Sequence, residues 1–306
     1  MKCPQLRQAC LLDAAGVIPG AGETCEAFFS RAQRSFDVQR QLFNALTLNG
    51  KEMIFDGIEI ELDRKVDDAL LENSRELTEK LYSFRVEHIP GFFLSGSVGP
   101  LWGGCLIGDP DLDLAVFFLR NAFKDREKWL FYNRTELGAH ALCHSARVAV
   151  NDPELEEYFA YQTSSSKLRR YLGNCFIRDW DAILFVLPAL LLPIAQFIQM
   201  MFYPRMGILP FWIIALIYPC YLLFRNQKAR NKVSRARKVL LNCDVSKADA
   251  VLFRCTPGEL EEIGRLSSRE QLLQYVGERS ENELRWQVIE KRFIMEEKSD
   301  GQTQSI

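Results

Sequence analysis

Residues 182–203 read AILFVLPALLLPIAQFIQMMFY, a run of 22 residues without a charged side chain. A helix of this length, at about 1.5 Å per residue, crosses the roughly 30 Å of hydrocarbon in a bilayer. A second apolar run, ILPFWIIALIYPCYLLF, covers residues 208–224. The residues between the two runs include a proline and a glycine, which favour a tight turn. The segment therefore predicts a transmembrane helical hairpin.

Two alternative interpretations of this segment stay open. Apolar helices also occur in the core hairpins of soluble proteins, although 22 residues without charge argue against a core hairpin. Pro188 and Pro193 interrupt the first run. They indicate either a broken helix that lines a site or, more commonly, a membrane anchor with proline kinks.

The charged flanks of the hairpin predict its orientation. The charged residues just after the second run are all basic: Arg225, Lys228, Arg230, Lys232, Arg235, Arg237 and Lys238. Four more basic residues precede the first run: Lys167, Arg169, Arg170 and Arg178. Arg205 is the only charge in the turn. The positive-inside rule places both flanks, and therefore both termini, in the cytoplasm. The tract at 225–238 can also contact anionic lipid head groups, but a topology signal alone is the simpler explanation.

Composition excludes other classes of protein. The formal net charge of −2 argues against a nucleic-acid partner. Nine cysteines without a CxxC pair, in a chain of 306 residues, do not indicate a disulfide scaffold, so we expect reduced thiols.

The pattern of elements predicts a mostly helical α+β protein with four parts. Residues 1–180 form a cytosolic domain, 181–225 the transmembrane hairpin, 226–295 a basic tract with a small helical domain, and 296–306 a polar tail. Helices are expected at 22–46, 66–84, 127–150 and 154–166, with strands at 54–62 and within 92–106. Thr24 and Thr256 are expected to begin helices as N-caps, and another helix is expected to start at Ser267-Ser268-Arg269-Glu270.

One motif carries chemistry. Residues 133–147 read NRTELGAHALCHSAR and place His140 and His144 four positions apart. Residues i and i+4 share one face of a helix, where two imidazoles can bind one tetrahedral Zn²⁺. The next helix carries Glu154, Glu156 and Glu157, any of which can fold back as a third ligand. The alternative is a hydrogen-bonded, structural histidine pair without a metal.

This arrangement resembles the zincin metallopeptidases, whose helix reads His-Glu-x-x-His and whose third ligand is a downstream Glu. It is similar, more narrowly, to uncharacterised bacterial membrane proteins that carry such a motif ahead of a hydrophobic hairpin. The resemblance implies zinc ligation by His140, His144 and Glu157, with Glu156 a weaker candidate. It also implies a zincin-like cytosolic domain and a place in the bacterial inner membrane.

The chain departs from that family at position 141, which is Ala where the family has its Glu. That Glu is the general base and proton donor of peptide hydrolysis, and loss of a general base typically costs about 10²–10⁴ in rate. Glu136, one turn before His140, is expected to orient that histidine as a carboxylate behind the ligand. Arg147 is expected to pair with Glu154 or Glu156.

The expected function is therefore a membrane-anchored, metallopeptidase-like protein that binds zinc but is catalytically impaired. The alternative is a membrane scaffold, without metal or enzymatic activity, that binds a protein or peptide partner.

Overall fold

The computed structural model describes residues 3–54, 58–94, 99, 102–109 and 114–295. The predicted polar tail at 296–306 and the middle of the predicted strand segment 92–106 lie outside these residues.

The described residues form a mostly helical α+β protein, as predicted. The helices are α1 (Leu6–Ala14), α2 (Cys25–Asn49), α3 (Asp68–Tyr82), α4 (Arg134–Arg147), α5 (Glu156–Tyr161), α6 (Lys167–Leu172), α7 (Asp179–Met201), α8 (Leu209–Asn242), α9 (Ala248–Phe253), α10 (Pro257–Ile263), α11 (Arg269–Ser280) and α12 (Leu284–Ile289). The strands are β1 (Lys51–Ile54), β2 (Ile58–Glu61), β3 (Gly91–Leu94), β4 (Gly104–Asp109), β5 (Leu114–Arg120), β6 (Lys128–Trp129) and β7 (Tyr132–Asn133).

Three predicted helix starts are confirmed. The hydroxyl of Thr24 accepts a hydrogen bond from the Ala27 amide at the start of α2. Thr256 and Glu259 form a reciprocal capping box at the start of α10, and Ser268 caps α11. Such caps are local, because they satisfy amides of the first helical turn with a neighbouring side chain.

The predicted single helix over 127–150 is wrong. Residues 128–133 form the short antiparallel hairpin β6–β7, and α4 begins only at Arg134. The side chain of Asn133 accepts a hydrogen bond from the Glu136 amide and so begins the helix. The next predicted helix, over 154–166, is also shorter, since α5 ends at Tyr161.

A three-stranded sheet with the order β3–β5–β4 supports α4. The central strand β5 pairs parallel to β3 and antiparallel to β4. Its buried side chains alternate: Phe117 and Leu119 join the core that includes α3 and α4, whereas Val116 and Phe118 join a second core under α2. The period of two in a strand thus fixes α2 and α4 on opposite faces of the sheet.

The larger core joins segments from both sides of the apolar hairpin. It contains Tyr82 and Phe159 from before the hairpin together with Leu240, Phe253 and Trp286 from after it. The rings of Tyr82 and Phe253 stack with their centroids 4.3 Å apart. This core therefore crosses the domain boundaries that we predict at residues 180 and 226.

The helices α7 and α8 are long and apolar enough to cross a membrane. Only 6% of the apolar window Trp180–Met201 is buried, and Ile183, Leu187 and Ile217 are more than half exposed. A core hairpin of a soluble protein would be covered by the rest of the chain, and these side chains are not. The second helix also continues without a break from the apolar run through the basic tract to Asn242.

Polar side chains close both ends of this hairpin. The buried carboxylate of Asp181 accepts hydrogen bonds from Tyr218 Oη at 2.6 Å and from Arg225 Nη2 at 2.5 Å. At the other end, Gln199 Nε2 donates to the Met206 carbonyl at 2.7 Å. Arg225, which the sequence presents only as a topology signal, thus also joins α7 to α8.

The cysteines differ in part from the expectation. Cys3 and Cys25 form a disulfide between the segment before α1 and the start of α2, so the prediction of reduced thiols is wrong for this pair. No other disulfide joins the described residues, so the chain has no disulfide scaffold.

Candidate metal centre

Helix α4 presents His140 and His144 on one face toward α5. The two Nε2 atoms are 3.0 Å apart, and the ring centroids are 4.7 Å apart. Both side chains are about three-quarters buried, with 25% and 22% exposed. The i, i+4 spacing on α4 accounts for this pairing directly.

Helix α5 brings two carboxylates to the histidines. Glu157 lies between them, with Oε2 3.6 Å from His140 Nε2 and Oε1 3.5 Å from His144 Nε2. Glu156 lies behind His144, whose Nδ1 donates to Glu156 Oε1 at 2.8 Å. One ligand atom from each of His140, His144 and Glu157 lies within 4.8 Å of the others.

A backbone carbonyl orients His140. Its ring is hydrogen-bonded to the carbonyl of Ala160, and the ring of Tyr161 contacts it edge-on at 4.7 Å. Since Nε2 faces the cluster, Nδ1 is the nitrogen that donates to Ala160. This tautomer leaves Nε2 of His140 as an acceptor, so the hydrogen between the two histidines belongs to His144.

Glu136 does not orient His140, which corrects the expectation. Its carboxylate accepts hydrogen bonds from Ser164 Oγ at 2.9 Å, from the Ser165 amide at 2.9 Å and from Arg169 at 3.1 Å. Burial opposes ionisation, but these hydrogen bonds and the charge of Arg169 hold the pKa of Glu136 below its usual value. The carboxylate therefore fastens the start of α4 to the turn before α6.

Arg147 pairs with neither Glu154 nor Glu156, so both expected partners are wrong. Its guanidinium is fully buried and binds the buried carboxylate of Asp152, in the turn before α5. It also donates to the carbonyls of Phe253 and Cys255 and lies over the Phe159 ring at 4.5 Å. Asp152 in turn accepts from the amides of Glu154 and Leu155, in the turn that leads into α5. Arg147 thus positions α5 against α4 and does not touch the histidines.

The electrostatics of the cluster follow from burial and from these bonds. Burial, together with the neighbouring charge of His144, lowers the pKa of His140 to about 3. Burial also acts against protonation of His144, but the hydrogen bond to Glu156 and the charge of Glu157 raise its pKa. Burial raises the pKa of Glu157. A proton on this pair is therefore held by His144 in preference to His140.

The distances fit a tetrahedral ion. Two ligands at about 2.0–2.1 Å from Zn²⁺ lie about 3.3 Å apart at the tetrahedral angle. The two Nε2 atoms are 3.0 Å apart, and Glu157 lies 3.6 Å from His140 through Oε2 and 3.5 Å from His144 through Oε1. Ligation through a single Glu157 oxygen therefore needs a shift of that carboxylate, since one atom from each residue lies within 4.8 Å of the others. The His144–Glu156 bond also resembles the carboxylate that commonly supports a ligating imidazole. The donor set therefore fits zinc with small shifts.

A cleft of about 760 Å³ borders the cluster. Its wall includes the histidines of α4 and Ala141, together with His88, and residues of β4 and β5 such as Leu106 and Phe117. Ala141 is only 4% exposed yet lines this cleft. The position where zincins have their Glu therefore faces the same space as the histidines.

No protein-family model, curated protein or solved structure matches the chain.

Sequence reasoning missed Ala160 and Asp152. A backbone carbonyl leaves no mark in the sequence. Asp152 precedes a proline after a predicted helix, a position typical of turn residues. The sequence therefore indicated a turn there, and its pairing with Arg147 was not predicted.

Replacing Arg147 with Met is expected to destabilise the protein by about 3–5 kcal/mol, because Asp152 would stay buried without its partner. Arg237→Met is the matched control, since the Arg237–Asp249 pair is about half exposed, and it should change stability by less than about 1 kcal/mol. Chemical unfolding in detergent, followed by circular dichroism, measures both. Equal effects of the two substitutions would contradict the role of Arg147.

The pH dependence of stability tests the burial of His88, whose ring packs edge-on against Phe36 at 4.9 Å. Burial lowers the pKa of His88 to about 4, below the value of about 6.5 in an unfolded chain. The unfolded state therefore binds a proton that the folded state excludes, and stability is lost as the pH falls from about 6.5 to about 4. His88→Gln is expected to lose less unfolding free energy than the wild type between about pH 7 and pH 5. Parallel losses would show that His88 is protonated in the folded state.

Proposed function

We propose that the chain is a membrane-anchored, zincin-like protein that binds zinc through His140, His144 and Glu157 and is impaired as a peptidase. The observation that carries this proposal is the convergence of the three ligand atoms within 4.8 Å, from two separate helices. Two histidines and one carboxylate are a recognised ligand set of catalytic zinc, which leaves a fourth position open. The adjoining cleft supports the proposal, because a peptide needs access to the same space.

Each residue of the cluster has a defined part. Glu156 holds the imidazole of His144 and the Ala160 carbonyl holds that of His140, so both rings present Nε2 to the centre. Zinc bound there would supply a Lewis acid for hydrolysis. The chain places no carboxylate at position 141, so the general base of the zincins is missing. A peptide or protein ligand would then be bound and cleaved slowly or not at all.

The membrane part of the proposal rests on α7 and α8. Their exposed apolar side chains favour insertion into a lipid bilayer as a hairpin. The distribution of basic residues favours a cytoplasmic position for both termini and for the metal centre. The resemblance to bacterial membrane proteins favours the inner membrane.

Metal content of the detergent-purified full chain tests the ligand set. The wild type is expected to retain zinc, and His144→Ala is expected to lose it because a ligand is removed. His88→Ala is the matched control, since this third histidine of the chain lies outside the cluster. Zinc in all three proteins, or in none of them, would contradict the proposed centre.

Restoring the missing base tests the peptidase relationship. Ala141→Glu is expected to raise hydrolysis of an unfolded, fluorescently labelled protein by about 10²–10⁴ over the wild type. Ala141→Gln has nearly the same shape without a base, so it should give no increase. A zinc-loaded, folded Ala141→Glu protein with the activity of the Gln variant would contradict the zincin relationship.

A second candidate function is a partner-binding membrane protein without a metal. It is favoured by the closed chain of hydrogen bonds from Ala160 through His140 and His144 to Glu156, which satisfies the ring nitrogens without an ion. Absence of zinc from a folded wild type would exclude the metal centre and leave the histidines in a structural role.

A further inference from the structure

The tip of the β6–β7 hairpin consists of two large apolar residues, Leu130 and Phe131. They are 63% and 57% exposed. Leu130 also has a positive φ of 50°, a conformation in which a bulky side chain is unfavourable. Tight hairpin turns in water prefer Gly, Asn or Asp at such positions. The chain thus places two apolar side chains where a soluble protein would place polar ones.

Helix α6 adds two leucines to this surface. Leu168 and Leu172 are exposed and lie four positions apart, on one face of the helix. Arg169 Nη2 donates to the Phe131 carbonyl at 2.7 Å, so the start of α6 lies against the hairpin tip. Leu130, Phe131, Leu168 and Leu172 are called the apolar ledge below.

Hydrogen bonds from α8 to α6 indicate the depth of the apolar ledge relative to the membrane. Asn226 Nδ2 donates to the Tyr171 carbonyl at 2.6 Å, and Arg230 Nη1 donates to the Arg170 carbonyl at 2.9 Å. The two α8 residues follow Phe224, the last residue of the apolar run, by about 3–9 Å along the helix. The headgroup region on each side of a bilayer is about 5–8 Å deep, so these two residues lie within it or at its outer edge. Helix α6 therefore lies at the level of the lipid head groups.

Exposed aromatic residues follow α6 along the chain toward the membrane hairpin. Phe176 and Trp180 follow Leu172 in the chain, and each is 46% exposed. The guanidinium of Arg178 lies over the Trp180 ring at 5.2 Å. Tryptophan with a neighbouring cation is typical of the boundary between head groups and acyl chains. Arg225 binds Asp181 near the start of α7, and the next residue, Asn226, binds the Tyr171 carbonyl near the end of α6, so these two ends lie at the same level of α8.

We propose that the apolar ledge inserts into the headgroup–acyl boundary of the bilayer, as a second membrane contact beside the hairpin. This inference rests on the proposed membrane anchoring by α7 and α8. Lys128 and Lys167 are exposed beside the ledge in sequence, where their ammonium groups can meet lipid phosphates. A lipid surface fits these apolar side chains with basic neighbours at the level of the head groups.

The contact has a consequence for the metal centre. Helix α4 begins at Arg134, directly after the β6–β7 hairpin, and His140 lies about 9 Å further along the helix axis. The ledge would thus hold the cluster close to the membrane surface. Polypeptide segments next to the bilayer are then the ligands that the cleft can reach first.

Tryptophan quenching by brominated phospholipids tests the proposal on the full chain in vesicles. Phe131→Trp and Leu168→Trp each add one indole to the ledge, and Leu48→Trp adds one at an 84% exposed leucine on α2. The chain has five native tryptophans, of which Trp180 and Trp212 lie in α7 and α8. The share of these two is obtained by difference from a Trp180→Phe/Trp212→Phe variant and is called the native emission below. Each variant is compared with the wild type in vesicles with and without bromine near the headgroup end of the chains.

We expect the added emission of the two ledge variants to be lost in brominated vesicles, and that of Leu48→Trp to persist. Loss of native emission while the added ledge emission persists would overturn the ledge contact and leave the hairpin in the membrane. Persistence of native emission as well would overturn the membrane anchoring together with the ledge contact. Equal loss from all three added tryptophans would also overturn the proposal, because the contact would not be confined to the ledge.

Discussion

The candidate centre depends on the interactions of one buried group, the guanidinium of Arg147. It binds two parts of the chain at once: Asp152 before α5, and the carbonyls of Phe253 and Cys255 at the end of α9. The histidines lie on the helix that ends with Arg147, and the carboxylates lie on the helix that begins after Asp152. The distance between imidazoles and carboxylates is therefore set by an ion pair about one turn away. A surface pair would not hold this geometry, because exposed pairs contribute little and are mobile.

The sequence predicts local features well and tertiary partners poorly. Thr24 and Thr256 were identifiable as caps because the atoms that they bind lie within three residues. The pairing of His140 with His144 follows from helical periodicity in the same way. Glu136, by contrast, has the right spacing to contact His140 but binds Ser164, Ser165 and Arg169. The partners of Glu136 are decided by residues distant in sequence, and the spacing of residues along one helix does not predict them.

The start of α4 shows a second limit of sequence reasoning. No proline interrupts residues 127–150, and the expectation of one long helix passed over Asn133 within them. Asn133 satisfies the amide of Glu136 and ends the β6–β7 hairpin at the same point, which the structure shows and the pattern does not. Of the candidate centre, the ligand residues were therefore predictable from the sequence. The Ala160 and Asp152 contacts that orient them were not.

Helix α8 connects the membrane-length hairpin to the candidate centre without a flexible joint. Its apolar and basic segments form one helix of 34 residues, and Lys232 in the basic segment binds Glu154 at 2.9 Å and Glu261 at 3.1 Å. Glu154 lies two residues before Glu156, so a cation of α8 holds the chain just ahead of the carboxylate helix. A rigid helix transmits its orientation along its whole length, whereas a Gly- or Ser-rich linker would not. The charges that the sequence presents as a topology signal therefore also fix how the candidate centre is held relative to the hairpin.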